Sequence, residues 1–256
     1  MRTCIILCVI LLFCVPQKPA LAAKKDHAWA FGVASIIPGL GQALQGNVLE
    51  GLGWLSSTLV AWRFRIMPQK IIEYNMYDSY RDAGADDTSK ENWFQNYTAT
   101  FNPLNIIDPI GGPIAVGYGF IVSPMPGVGG PIYLRIPMYA MVGWGEEGLF
   151  RGFLYPAFSH LFDSRFLGAV ASSALFGVAH YQYTWSNRFF LMGVGMLWSW
   201  QLTRNRYDLR KNIFSHSWVD IVSSLKANIE LDPRNTADTK RQGAGIRFSL
   251  NYVFDL

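Results

Sequence analysis

The sequence predicts an all-α protein, a polytopic transmembrane helix bundle of roughly five to eight membrane segments with a short strand-like tail. Three observations carry that expectation. Half of the 256 residues are hydrophobic and only 16% are Asp, Glu, Lys or Arg, well below the roughly 25% of a soluble domain. Long apolar segments crowd the second half of the chain. Ionisable residues sit inside those segments, where they are costly and usually functional.

The elements follow in order. Residues 1–23 carry Arg2, an apolar run from Cys4 to Val15 and the small-residue pattern Ala20-Leu21-Ala22, which reads as a secretory signal peptide. The run is shorter than the ~20 residues a spanning helix needs, so cleavage is expected near Ala22 or Ala23. All three cysteines, Cys4, Cys8 and Cys14, fall in this leader, and its removal would exclude disulfides and thiolate metal sites. The formal charge of +4 is small and scattered, so nucleic acid is not an expected partner.

Residues 24–104 form an N-terminal apolar hairpin followed by a polar boundary. Pro38-Gly39-Leu40-Gly41-Gln42 marks a turn between short helices that pack through small residues. The stretch 65–104 mixes Asp82, Asp86, Asp87, Lys90 and Glu91 with Tyr74, Tyr77, Trp93 and Tyr97. It reads as a loop or surface helix at the headgroup level, where amphipathic rings are favoured. The core is expected over 105–226. Its first part, 106–131, is apolar but broken by proline and glycine. A re-entrant segment fits, provided that protein covers its backbone.

Four segments follow, at 132–158, 166–181, 189–203 and 212–226, each expected to cross or nearly cross the apolar layer. In the second, Gly168/Ser172 and Ser173/Gly177 are spaced for close helix approach. Arg204, Arg206, Arg210 and Lys211 mark a cytoplasmic loop, although Arg234, Lys240, Arg241 and Arg247 in the tail pull the topology the other way. The tail, 227–256, is polar and ends in an alternation of Ile246, Phe248, Leu250, Tyr252 and Phe254 with strand period.

The sharpest feature is Gly145-Glu146-Glu147-Gly148-Leu149-Phe150-Arg151-Gly152. On a helix Glu147 and Arg151 share a face and can pair, while Glu146 is turned by about 100°. Glu147 is thereby neutralised and Glu146 left free, and a free carboxylate in a low-dielectric cavity has the raised pKa of a general base near neutral pH. His180 closes Phe176-Gly177-Val178-Ala179-His180, and His216 and Asp220 share a helical face four residues apart. Two histidines and two acids can activate water and hold an oxyanion. They can equally bind a divalent metal such as zinc, with Glu146, His180, His216 and Asp220 as candidate ligands. His27 and His160 have no comparable context.

These three motifs, Glu-Glu-x-x-x-Arg, Phe-x-x-x-His and His-x-x-x-Asp, in this order over roughly 132–225, resemble the CAAX protease and bacteriocin-processing family of intramembrane proteases. The resemblance implies hydrolysis in which Glu146 and His180 activate a water, His216 and Asp220 stabilise the oxyanion, and Glu147 and Arg151 support the site. Some members are described as metal-dependent and others as glutamate proteases. Eukaryotic members trim prenylated C-termini, and bacterial ones have varied substrates.

The expected function is therefore cleavage of a membrane-associated or hydrophobic peptide. The expected location is a bacterial inner (cytoplasmic) membrane, with lipid as a partner. The alternative is a catalytically inactive scaffold or immunity-type binding protein that keeps the fold. A coupled transporter would also use intramembrane Glu and His, but the sequence has no internal repeats.

Overall fold

The computed structural model describes residues 27–108, 111–119 and 132–230. The signal-like leader and the alternating tail lie outside the described residues. Within them the protein is all-helical, with no strand. It divides into two compact units that are discontinuous in sequence, one built from residues up to Lys90 with Gly145–Leu209, the other from Glu91–Trp144 with the residues from Arg210 onward.

The first unit contains α1 (Ala28–Ala34), α2 (Leu40–Leu44), α3 (Val48–Phe64) and α4 (Pro68–Asp82). The Pro38–Gln42 stretch is the turn that brings α2 onto its neighbours. Gly39 takes φ +80, and its N–H donates to Asn75 Oδ1 at 2.9 Å. Asn75 Nδ2 in turn donates to Gln42 Oε1 at 3.0 Å. A Cβ on Gly39 would run into the backbone of Gly51. Only glycine meets both demands, the left-handed backbone and the close approach.

α4 corrects the expectation of a boundary loop or surface helix. Pro68 starts it at a position where a missing N–H costs nothing. Tyr74, Tyr77 and Tyr80, three apart, are each at most 2% exposed. Of the aromatics that suggested a headgroup belt, Tyr74 and Tyr77 are packed inside this unit, while Trp93 is exposed.

The chain passes through the second unit over Glu91–Trp144 before it supplies the rest of the first. α5 (Trp93–Thr98) is closed by a capping box between Asn92 and Gln95. α6 spans Ile132–Glu147, and from Gly145 its residues belong to the first unit. It continues without a break into a π-helical stretch, Gly148–Leu154, and then α7 (Tyr155–Leu161). α8 (Arg165–Ala179) and α9 (Trp185–Arg204) follow, capped by Ser164 and Thr184, whose side chains accept from Leu167 N and Asn187 N. α10 (Arg210–Glu230) belongs to the second unit.

Among the described residues no helix is both long and apolar enough to cross a membrane. The expected all-α class is seen among these residues, and the expected crossings are not seen as single long apolar helices. α8, of 15 residues, reaches only about 22 Å against a hydrocarbon layer of about 30 Å, whereas α6, the π-helical stretch and α7 run on without a break from Ile132 to Leu161. α9 and α10 are long enough, at 20 and 21 residues. They are too polar, with Asn187, Arg188, Gln201 and Arg204 in α9 and Arg210, Lys211, Asn212, His216 and Asp220 in α10.

Candidate active site

In the first unit the site is built where α4 lies against the Gly145–Gly152 run. The three glycines of that run form a stripe that lets α4 approach at backbone distance. A Cβ on Gly145 would sit 2.7 Å from the Lys70 carbonyl oxygen and 2.9 Å from its Cα, and one on Gly148 would sit 2.8 Å from the Tyr74 ring. Gly152 meets Tyr77 in the same way. Lys70, Tyr74 and Tyr77 recur at helical spacing on α4, and Gly145, Gly148 and Gly152 do so on the facing run. Lys70 is thereby fixed beside Glu146.

The two adjacent glutamates both have cationic partners. Glu147 and Arg151 form a fully buried ion pair at 3.2 Å. The Arg151 guanidinium lies 4.2 Å from the centroid of the Phe176 ring and 5.1 Å from that of Trp198. Gly195 leaves room for it, since a Cβ there would stand 3.0 Å from Arg151 Nη2. Lys70 Nζ donates to Glu146 Oε1 at 2.7 Å and to both oxygens of Glu73 at 3.0 Å. The sequence expectation that Glu146 is left unpaired is corrected here, since Lys70 binds its Oε1. Burial works against the Lys70 ammonium, but Glu146 and Glu73 outweigh it and hold the group above the ordinary lysine range.

His180 stands just past the last residue of α8 and faces the other oxygen of Glu146. Its Nδ1 is 2.7 Å from the Phe176 carbonyl oxygen. A carbonyl only accepts, so Nδ1 carries a proton, and in the neutral ring Nε2 would be the basic nitrogen. Nε2 lies 3.8 Å from Glu146 Oε2. That separation is too long for a direct hydrogen bond and suits two groups that contact one water between them. The Phe-x-x-x-His spacing has a physical account: Phe176 anchors Nδ1 through its carbonyl, packs its ring 4.6 Å from the imidazole, and seats Arg151 on its face.

His216 and Asp220 belong to the second unit. They lie on one face of α10, 2% and 1% exposed, with Nε2 3.9 Å from Oδ2. In that unit a Cβ on Gly143 would stand 2.9 Å from the backbone nitrogen of Ser217, so α6 and α10 pass close together. Thr100 Oγ1 donates to Ser217 Oγ at 3.1 Å, and Trp218 Nε1 donates to the Thr100 carbonyl at 2.9 Å. The helix that carries the second pair is held at Ser217 and Trp218, next to His216.

Among the described residues, one group of three carboxylates has ligand atoms close enough for a metal: Glu50, Asp78 and Asp82. Arg81 pairs with both aspartates there. At Glu146 the Lys70 ammonium takes the place and the charge that a divalent cation on Oε1 would have. Glu146 Oε1 is thus occupied by an internal cation.

The first unit thus brings a buried carboxylate and a buried imidazole face to face, Glu146 Oε2 and His180 Nε2 lying 3.8 Å apart. Residues 129–222 match the model of the Rce1-like family, described as type II CAAX prenyl endopeptidase Rce1-like. That family is a CAAX protease family, and the match supports proteolysis in general. No curated protein and no solved structure matches the chain. The matched stretch contains all three motifs and omits Lys70 and Glu73, which the sequence reading also missed.

Proposed function

We propose that the protein is a membrane-embedded endopeptidase that hydrolyses a peptide bond in a hydrophobic or membrane-associated peptide. The observation that supports this most is the facing of Glu146 Oε2 and His180 Nε2 at 3.8 Å, with Nδ1 of the same ring tied to a carbonyl. A water held between them loses a proton to the pair as its oxygen attacks the peptide carbonyl. The C–O bond forms and the carbonyl oxygen becomes an oxyanion. When the C–N bond breaks, the proton passes to the leaving nitrogen. His216 and Asp220 take the oxyanion-stabilising role on the strength of their motif.

The family is membrane-embedded in general, and the surface of the first unit suits lipid. Phe166, Leu167 and Val178 on α8 and Trp185, Phe189 and Trp200 on α9 are all exposed, more apolar surface than a protein surrounded by water ordinarily shows.

The test compares membrane peptides from cells that produce the wild type with those from cells that produce Glu146→Gln. Uncleaved precursors should accumulate only with the variant. Identical peptide profiles would contradict the reading.

A further inference from the structure

The motifs leave one cation of the site without a role. Glu146 is faced by Lys70 from α4, with Glu73 behind it, and by His180 from the end of α8. On its own run, Glu147 and Arg151 neutralise each other. We propose that Lys70 is a positioning residue for the hydrolysis: its ammonium holds Glu146 by Oε1 and so presents Oε2 to His180 Nε2. This rests on the function proposed above for Glu146.

Three observations support it. The contact is built from the backbone up, since Gly145 allows the Lys70 main chain to within a distance that any side chain would forbid. The ammonium also reaches further than its own burial requires. Glu73, three residues along α4, could neutralise it alone through two 3.0 Å contacts, yet Lys70 also makes the shorter bond, at 2.7 Å, to Glu146 across to another helix. Finally, the charge suits a base. With His180 neutral, Lys70, Glu73 and Glu146 together carry one net negative charge, and taking one proton from water brings the group to neutrality. Pairing with Lys70 thus orients Glu146 without exhausting its capacity to accept a proton. No motif could reveal this, because Lys70 and Glu146 are 76 residues apart.

The experiment measures kcat and KM of the purified full-length protein in detergent on an internally quenched hydrophobic peptide. Lys70→Met, Lys70→Gln, Lys70→Arg, Glu146→Gln and Lys70→Met/Glu146→Gln are compared with wild type, and thermal melts report the folded fraction. A displaced catalytic group costs about 100-fold, so Lys70→Met should lower kcat by about that factor with KM within about twofold of wild type. Lys70→Arg should recover at least about a tenth of the wild-type kcat, and the double variant should be no slower than Glu146→Gln. If Lys70→Met does not fold, Lys70→Gln decides on the same criterion. Wild-type kcat in a folded Lys70→Met or Lys70→Gln variant, or a loss confined to KM, would overturn the positioning role while leaving the proposed function intact. A wild type no faster than Glu146→Gln would overturn both.

Discussion

Phe176 shows what a short motif encodes at the scale of the residue. Its carbonyl fixes the tautomer of His180 and its ring supports Arg151, so one position ties the histidine to the Glu147–Arg151 pair. The polar members of the motifs stand out in the sequence because acids and histidines are expensive in apolar surroundings. Lys70 does not, because a lysine in a polar stretch looks solvated until a distant helix is laid against it. Asp78 is a second buried charge that the sequence conceals. Burial, which outweighs the nearby Arg81, pushes its carboxyl up to about 7. The native state therefore holds this proton more tightly than the unfolded chain does, and Asp78 contributes stability at low pH that is lost as pH rises from about 4 through about 7. Asp78→Asn keeps an acceptor for Trp54 Nε1 and removes the titration. Its thermal midpoint should fall less between pH 5 and pH 8 than that of the wild type. Equal falls would show that Asp78 is not the group responsible.

At the scale of the element, the helices of the second half were legible and their lengths were not. Apolar segments at 132–158 and 166–181 contain α6, α7 and α8, but the apolar pattern announces neither the change to π-helical geometry at Gly148 nor the stop at Ala179. π-Helical turns inside helices concentrate at functional sites, and this one lies between Glu147 and Tyr155. The glycine stripe gives a sharp test of how α4 is held. Gly145→Ala places a methyl group against Lys70 backbone atoms, which cannot swing aside as a side chain can. It should destabilise the protein by about 1–3 kcal/mol, the usual cost of overpacking, and reduce turnover. Gly53→Ala in α3 meets nothing within 4 Å and should stabilise by about 0.5–1 kcal/mol through helix propensity. Thermal or denaturant melts of the two variants check this. Similar effects of the same sign at both positions would contradict the packing described for α4.

At the scale of the whole molecule, composition pointed to lipid, while among the described residues no single helix is both long and apolar enough to cross it. The two observations meet in the surface. Exposed aromatic and aliphatic side chains on α3, α8 and α9 leave apolar area that water disfavours, and the proposed location in a membrane gives that area a partner. The protein should remain in the membrane pellet after an alkaline carbonate wash, and full release into the supernatant would contradict embedding. The most direct test of the central claim is the turnover number of the purified wild type and of Glu146→Gln on one quenched hydrophobic peptide, with folding confirmed by the melts. Loss of a positioned general base predicts a fall in kcat of about 10²–10⁴-fold for the variant. Equal turnover by the two folded proteins would contradict the assignment of Glu146 and the mechanism built on it.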